Sequence, residues 1–267
     1  MTLAELGWTD FFAQAFAPYA AEGCQPGRVT LELKGYFEVT GEFGAKLGAC
    51  SGKFINTAAA QSAFPAIGDW VAITTQSGDV TRAHIHAVLP RRTKFSRRAS
   101  GSEEIEQIVA ANIDTVFLVS GLDQNFNPKR IQRFLVAAHD SGAAPVIILN
   151  KSDVCDDADV VKREVEVLAP GVPVLITSTT TRKGLKALAV TFAKPGQTVA
   201  FIGSSGVGKS SLINALARDP DALPTGEVRE KDSKGRHTTT RRELVQTPSG
   251  ALVIDTPGMR ELQLWGV

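Results

Sequence analysis

The segment GSSGVGKSS, residues 203–211, has the residue types and spacing of a phosphate-binding loop. It fits the pattern G-x-x-x-x-G-K-[ST], and it lies directly after an apolar strand pattern and directly before a helical one, as this motif requires. Its glycines let backbone N–H groups point at phosphate oxygens, and the helix start adds positive potential. The expected phosphate-contacting residues are Gly203, Ser204, Ser205, Gly206, Val207, Gly208, Lys209, Ser210 and Ser211.

Two of these residues have expected chemical roles, and a second motif adds two more. Lys209 would bridge the β- and γ-phosphates of a nucleotide during catalysis, and Ser210 would bind Mg²⁺. The motif DTPG begins at Asp255, at the end of another apolar strand pattern. D-x-x-G is weak alone, but this strand is expected beside the one that precedes the phosphate loop. We expect Asp255 to orient the Mg²⁺ ion through water and Gly258 to donate its N–H to the γ-phosphate.

The segment NKSD, which follows the apolar residues VIIL, predicts a binding site for a guanine base. The Asp153 carboxylate would accept hydrogen bonds from guanine N1–H and its exocyclic amine. Adenine offers neither donor, and an unpaired buried carboxylate costs about 2–5 kcal/mol, so GTP is favoured over ATP. Asn150 would hold the phosphate loop, and the stem of Lys151 would cover the ring. Backbone N–H groups of Ser178 and Thr179 would meet the guanine carbonyl. The expected base-contacting residues are Asn150, Lys151, Ser152, Asp153, Ser178 and Thr179.

The order of these motifs is unusual. In ordinary GTPases the phosphate loop comes first and the base motif last, whereas here NKSD precedes the phosphate loop by about 50 residues. Because such a site depends only on where loops lie in space, a circularly permuted chain can build it, and permutation is tolerated where chain ends lie close together. The segment KPG, residues 194–196, would supply the turn that joins the former ends.

The elements that must position these motifs are predicted after residue 113. Apolar strand patterns cover residues 114–120, 145–150, 172–177 and 197–203. Helical patterns lie between and after them, near residues 128–140, 157–168, 184–193 and 209–217. Continuous apolar strands separated by helices indicate a parallel sheet covered on both faces. The segments ELVQT and ALVID, joined by PSG, predict an antiparallel hairpin.

The residues before 113 have a different character. Short alternating runs with glycine-bearing turns predict a small barrel of the OB or SH3-like kind. A capping-box pattern from Ser100 to Glu103, followed by Ile105, Ile108 and Val109, predicts a helix. The expected parts are an N-terminal segment 1–27, a barrel 28–90, a basic linker and helix 91–112, and a nucleotide-binding domain 113–267.

Composition excludes several classes of protein. With 43% hydrophobic residues, the chain is neither disordered nor collagen-like. Its three cysteines form no CxxC pair and no disulfide framework, which favours a reduced, cytosolic compartment. No apolar run approaches the roughly 20 residues that span a membrane, and the N-terminus lacks the basic region of a signal peptide. The 29 Lys and Arg against 28 Asp and Glu give a net charge of +1, but this charge is unevenly spread.

The chain resembles the RsgA/YjeQ family of circularly permuted GTPases, which act in small ribosomal subunit maturation. The resemblance covers nearly the whole chain and rests on PGRV, GDWV, RRTKFSRR, AANIDTVFLV, LNKSD, GSSGVGKSSLINAL, GRHTTTRREL and DTPGMREL. It implies an all-β OB-fold barrel followed by an α/β P-loop GTPase domain in permuted order. It also implies GTP hydrolysis to GDP and phosphate with Mg²⁺, stimulation by the small (30S) ribosomal subunit, rRNA binding and a cytoplasmic location. We expect a monomer.

The same resemblance implies a C-terminal zinc-binding domain. No Cys or His follows Asp255, so the ligands for Zn²⁺ are not expected in this chain. We expect either that the chain is a truncated form of a longer protein or that the C-terminal module was never included.

The stretch RRTKFSRR is the most concentrated basic segment, with five basic residues in eight. A charge run is more often plain solvated surface, but a basic stretch beside an OB-like barrel is common in RNA-binding proteins. The family resemblance favours contact with rRNA, with Phe95 as a possible stacking ring. The expected RNA-contacting residues are Arg91, Arg92, Lys94, Arg97 and Arg98.

Residues 225–244 are polar and basic, which is typical of a switch loop that senses the γ-phosphate. One threonine of this loop is expected to complete the Mg²⁺ shell, and we choose Thr239. Ras-like enzymes orient the attacking water with a Gln just after D-x-x-G, but this chain has Met259 there, and a thioether cannot do so. We hypothesise that His237 positions the water; the alternative is that it contacts RNA or solvent.

Two other functions stay open at this point. A P-loop ATPase or kinase would share the phosphate loop, although Asp153 argues against it because adenine leaves that carboxylate unpaired. A nucleotide-dependent RNA-binding scaffold with negligible hydrolysis stays open because of Met259 and the abrupt C-terminus. Hydrolysis measurements with each nucleotide would separate these functions from a GTPase.

Overall fold

The computed structural model describes residues 1–76, 79–98, 105–217 and 242–255. The N-terminal part of the chain is a five-stranded barrel. The strands are β1 (Gln25–Leu33), β2 (Tyr36–Gly41), β3 (Gly44–Cys50), β4 (Trp70–Gln76) and β5 (Asp79–Val88). Neighbours follow the order β1-β2-β3-β5-β4, and β4 closes the barrel by pairing with β1. Only β3 and β5 pair in parallel among these strands. This is an OB-like barrel, as the sequence predicts.

The barrel closes around branched apolar side chains, because alternate residues of each strand point inward. Its interior is lined by Val29, Val39, Val71, Ile73, Ala83 and Ile85. Helix α1 (Asp10–Ala21) packs against the barrel through Phe12 and Phe16, which lie in one cluster with Trp70. Helix α2 (Gly52–Thr57) follows β3. Since β1 begins at Gln25, the end of the predicted segment 1–27 belongs to the first barrel strand.

The helix predicted within residues 91–112 is wrong. The chain instead forms an antiparallel hairpin of β6 (Lys94–Arg98) and β7 (Glu106–Ala111). Four consecutive residues, Ile108 to Ala111, are buried, which suits a strand covered on both sides and not a helix with one apolar face. A short apolar run fits the helical period and the strand period equally well, so spacing alone does not decide between them. Here the pairing with β6 made the segment a strand.

The second part of the chain is an α/β domain with a six-stranded sheet. Its elements are β8 (Thr115–Gly121), α3 (Pro128–Ser141), β9 (Ala144–Asn150), α4 (Ala158–Leu168), β10 (Val174–Ile176), α5 (Leu185–Phe192), β11 (Thr198–Ile202), α6 (Lys209–Ala217), β12 (Arg242–Gln246) and β13 (Leu252–Asp255). The strand order is β10-β9-β8-β11-β13-β12, and only β12 runs antiparallel to its neighbour β13. The strands, the helices and the hairpin predicted after residue 113 are thus confirmed.

Helices cover both faces of this sheet. Side chains of α3 and α4 share one apolar cluster with the sheet, and those of α5 and α6 share another. β11 lies at the centre between β8 and β13, and all its residues are buried. The segments that follow β8, β9, β10, β11 and β13 therefore emerge at one edge of the sheet, where ligands of such folds bind. No helix in the described ranges is long and apolar enough to span a membrane.

The barrel and the α/β domain are joined by backbone pairing and by one buried arginine. β1 pairs with β12, with Leu31 opposite Glu243. The Arg28 guanidinium donates to three backbone carbonyls, those of Leu6, Gly68 and Asn112. Burial lowers the pKa of Arg28 to about 10, so it stays charged at neutral pH. This side chain ties the N-terminal segment, the barrel and the strand that leads into the α/β domain together.

Candidate active site

The phosphate loop runs from the end of β11 into α6, and its shape explains its glycines. Gly206 and Gly208 have φ values of +79° and +95°, a region that other residues rarely adopt. A Cβ on Gly208 would lie 2.3 Å from Asn150 Nδ2, so no side chain fits there. The loop can therefore pass close to the segment that follows β9.

The side chains of the loop divide into buried and exposed groups. Val207 and Lys209 are buried, whereas Ser205, Ser210 and Ser211 are exposed. Lys209 Nζ donates to the carbonyl oxygens of Gly203 and Ser204, each at 2.6 Å. The ammonium group is thus held inside the curve of the loop, within reach of the space that phosphate oxygens occupy in loops of this type.

Asn150 connects the base motif to the phosphate loop. Its side chain is fully buried, Nδ2 donates to the Val207 carbonyl oxygen at 2.9 Å, and Oδ1 accepts from Thr177 Oγ1 at 3.0 Å. Its own carbonyl accepts from the Leu122 N–H at 2.7 Å. The ends of β8, β9 and β10 and the phosphate loop therefore meet at one buried residue, Asn150.

The base-facing side chains are held by their neighbours. Ser178 Oγ donates to Asp153 Oδ1 at 2.5 Å, and this hydrogen bond lowers the pKa of the Asp153 carboxyl. Asp153 is therefore ionised at neutral pH, as an acceptor of two guanine donors must be. The Ser178 N–H donates to the Lys183 carbonyl, so it is not free to meet a guanine carbonyl. Of the two predicted N–H donors, Thr179 is the one left for that contact.

Two further residues lie in contact with predicted site residues, and the sequence did not reveal them. Lys151 has a left-handed backbone, with φ +63°, and its Nζ contacts Asp123 Oδ2 at 2.7 Å. This contact lowers the pKa of Asp123. Arg130, in the first turn of α3, donates to Ser204 Oγ at 2.9 Å. Asp123 and Arg130 both follow β8, whose end lies beside the phosphate loop. Only this position in the fold identifies them as residues of the site.

Comparison with known proteins decides the family. The RsgA GTPase family model matches residues 88–265. A small ribosomal subunit biogenesis GTPase RsgA from Opitutus terrae is 49% identical over 274 residues, covering 100% of this chain and 74% of that protein. A protein of the same name from Syntrophotalea carbinolica is 42% identical with the same coverage. The chain belongs to the RsgA GTPase family. It is a GTPase, as its motifs predict.

Solved structures agree with this assignment. YjeQ from Thermotoga maritima superposes with a TM-score of 0.66 at 29% identity, covering 90% of this chain and 77% of that one. YloQ, described as a circularly permuted GTPase, has a TM-score of 0.60 at 23% identity, covering 90% and 73%. The permuted order predicted from NKSD and the phosphate loop is thus confirmed.

The residues of this RsgA-family chain that would hold Mg²⁺ are partly described. Ser210 lies exposed in the first turn of α6. Asp255 ends β13, which pairs with β11 beside the phosphate loop, so Ser210 and Asp255 both lie at the same edge of the sheet. Such hard donors fit Mg²⁺. His237, Thr239 and Gly258 lie outside the described residues. Within the described ranges no three His, Cys, Asp or Glu side chains cluster as a metal site.

The basic stretch is less exposed than its sequence suggests. The Arg91 side chain is only 14% exposed and donates to Asp69, Ser62 and Phe64, so it stabilises the barrel. The buried Asp69 has its pKa raised by loss of solvent, against which the Arg91 contacts act. Phe95 is buried, so the expected stacking ring is wrong.

The other basic residues of this stretch keep more exposure. Arg92 and Lys94 are 40% and 49% exposed and pair with Asp114 and Glu106. Arg97 is partly buried and donates to Gln107. The Arg98 side chain lies outside the described residues.

Proposed function

We propose that this chain binds GTP with Mg²⁺ and hydrolyses it to GDP and phosphate during late maturation of the small ribosomal subunit. The relatives described above are named as GTPases of small ribosomal subunit biogenesis. The observation that carries the proposal is the buried Asn150, which joins the base motif to the phosphate loop. One nucleotide can therefore engage both loops at once.

Guanine selection follows from the groups around Asp153. Its carboxylate is held by Ser178 and ionised, so it accepts from guanine N1–H and the exocyclic amine. An adenine base brings no donor to it, which costs about two orders of magnitude in affinity or more. The ammonium group of Lys151 is held by Asp123. The aliphatic stem of Lys151 would cover the base.

The proposed reaction uses residues of the phosphate loop, the switch loop and the D-x-x-G motif. Lys209 would bind the β- and γ-phosphates, Ser210 and Thr239 would bind the metal, and Asp255 would orient it through water. Mg²⁺ neutralises charge on the phosphate oxygens when bound. We further propose that Gly258 donates its N–H to the γ-phosphate and that His237 positions the attacking water, since Met259 cannot. Intrinsic turnover is then slow, and the small ribosomal subunit accelerates it through the switch loop.

We also propose that the barrel and the basic hairpin bind rRNA, with the chain acting as a monomer in the cytoplasm. Arg92, Lys94, Arg97 and Arg98 are the proposed phosphate contacts. The ion pairs of Arg92 and Lys94 are exposed, and such pairs are weak and exchange readily for a phosphate. We do not propose Arg91 as a phosphate contact, because its guanidinium forms an ion pair with Asp69.

Single-turnover hydrolysis, with and without small ribosomal subunits, tests the proposed reaction. We expect GTP to be hydrolysed, ATP to be ignored, and the subunits to raise the GTP rate. Asp153→Asn is the matched variant, because it keeps the size of the side chain and removes the charge that pairs with guanine. It should lose GTP affinity about 100-fold. Preferred hydrolysis of ATP, or no effect of Asp153→Asn, would contradict the proposal.

The salt dependence of RNA binding tests the proposed surface. Removal of Arg92 and Lys94 should weaken binding and make the slope of log affinity against log salt shallower by about 1.5. Lys194→Ala, an exposed lysine in the turn before β11, serves as the control. A slope that is unchanged by the double variant would exclude these residues from the RNA contact.

A further inference from the structure

Arg130 is a basic side chain in contact with the phosphate loop, and the functions proposed above do not use it. It lies in the first turn of α3, which begins at Pro128 with Asn127 as its N-cap. β8 precedes α3 and runs parallel to β11, which precedes the phosphate loop. Both following segments therefore lie at the same edge of the sheet.

The guanidinium of Arg130 is anchored on Ser204. Its Nη1 donates to Ser204 Oγ at 2.9 Å and to the Asn125 carbonyl oxygen at 3.4 Å. The Ser204 carbonyl oxygen accepts from Lys209 Nζ at 2.6 Å. Arg130 and Lys209 thus both donate to Ser204. Their donor nitrogens lie within about 10 Å of each other, which is the combined length of two hydrogen bonds and a serine residue.

The rest of the Arg130 guanidinium is available to an anion. Across the ranges that the structure describes, Arg130 forms no ion pair, and its Nε and Nη2 donate to no protein acceptor. Arginine keeps its charge at physiological pH, and its planar fork fits phosphate oxygens. Ser204 directly precedes Ser205 and Gly206, whose N–H groups face bound phosphate in loops of this type. These N–H groups and the Lys209 ammonium line the space that nucleotide phosphates occupy in such loops, so a phosphate of the bound nucleotide is the anion that the Arg130 guanidinium would meet.

We propose that Arg130 is a catalytic arginine supplied in cis by α3, which donates to the γ-phosphate of GTP during hydrolysis. In that step the water oxygen bonds to the γ-phosphorus, and the bond to the bridging oxygen breaks toward GDP. One water proton stays on inorganic phosphate and the other is released. Charge grows on the bridging oxygen, and a fixed guanidinium stabilises the transition state more than the bound GTP. Ser204 acts as a positioning residue for Arg130, and the inference rests on the GTPase activity of the chain.

Kinetics of Arg130→Ala in the full chain test this assignment. The rate of single-turnover GTP hydrolysis should fall about 10- to 100-fold, whereas the Kd for GDP should change less than about threefold, because GDP lacks the contacted phosphate. Ser204→Ala should lose less, since Arg130 keeps its charge and loses only its anchor. The matched control is Arg133→Ala, an exposed arginine of the same helix, which should hydrolyse GTP like the wild type.

Fluoroaluminate binding separates catalysis from folding. With GDP and Mg²⁺, aluminium fluoride imitates the transferring phosphoryl group, so the wild type should bind it and Arg130→Ala should not, while both bind GDP. A hydrolysis rate for Arg130→Ala within about twofold of the wild type, or an equal loss of GDP and GTP binding, would overturn the assignment. Failure of the wild type to hydrolyse GTP would instead contradict the proposed function, so the two failures are distinct.

Discussion

Replacing Asn150 by alanine should disconnect the base motif from the phosphate loop. The fully buried amide donates to the Val207 carbonyl and accepts from Thr177 Oγ1. Alanine removes both hydrogen bonds and leaves two buried polar partners unsatisfied, at about 1–3 kcal/mol each. We therefore expect the free energy of unfolding to fall by about 3–5 kcal/mol. Thr177→Val, which removes only one of the two bonds, should lose about half as much.

Thermal unfolding and GDP titration check this magnitude. In a chain of this size each kcal/mol lowers Tm by about 2–4 °C, so Asn150→Ala should melt about 6–20 °C below the wild type. Its GDP affinity should fall at least about tenfold, since the loop no longer has a fixed partner behind Gly208. Asn214→Ala, on the exposed side of α6, is the control and should change neither quantity. A Tm within about 2 °C of the wild type, together with unchanged GDP affinity, would refute the reasoning.

Two further predictions concern buried and paired charges. Asp123→Asn should raise the Kd for GDP about 3- to 10-fold, because Lys151 loses its partner. Since the Lys151 contact lowers the pKa of Asp123 in the folded state, the stability due to this pair should be complete above the ordinary carboxyl pKa, decrease as the pH falls below that value and vanish at the lowered pKa, as melts of both proteins at falling pH would show. Arg28→Met should lower Tm by about 6–12 °C, because the buried carbonyls of Leu6 and Asn112 lose their donor, whereas the Gly68 carbonyl keeps that of Asn112 Nδ2; a smaller shift would mean that water replaces the guanidinium.

Much of the α/β domain could be predicted because its strands are buried on both faces. Such strands are continuous apolar runs, and the helices between them show one apolar side, so both periods are readable. The phosphate loop and NKSD each directly follow such a strand, which fixes the edge of the sheet where they lie. Their reversed order in the chain was enough to predict the permutation.

The segment between the barrel and the α/β domain could not be predicted. Ile105, Ile108 and Val109 fit a helix by spacing, but pairing with β6 made the segment a strand. In the same region Arg91 and Phe95 have the composition of an RNA-binding surface, yet both are directed into the fold. Burial depends on neighbours distant in the chain, and residue type alone does not report it.

The sequence by itself determined the nucleotide, the motif order and the fold class, because these depend on local spacing and on short motifs. Only the tertiary structure decided which side chains hold those motifs in place. Asp123 reaches Lys151, and Arg130 reaches Ser204, across the parallel ends of β8, β9 and β11. Such partners are 28 and 74 residues apart in the chain, and the order of strands in the sheet alone brings them together.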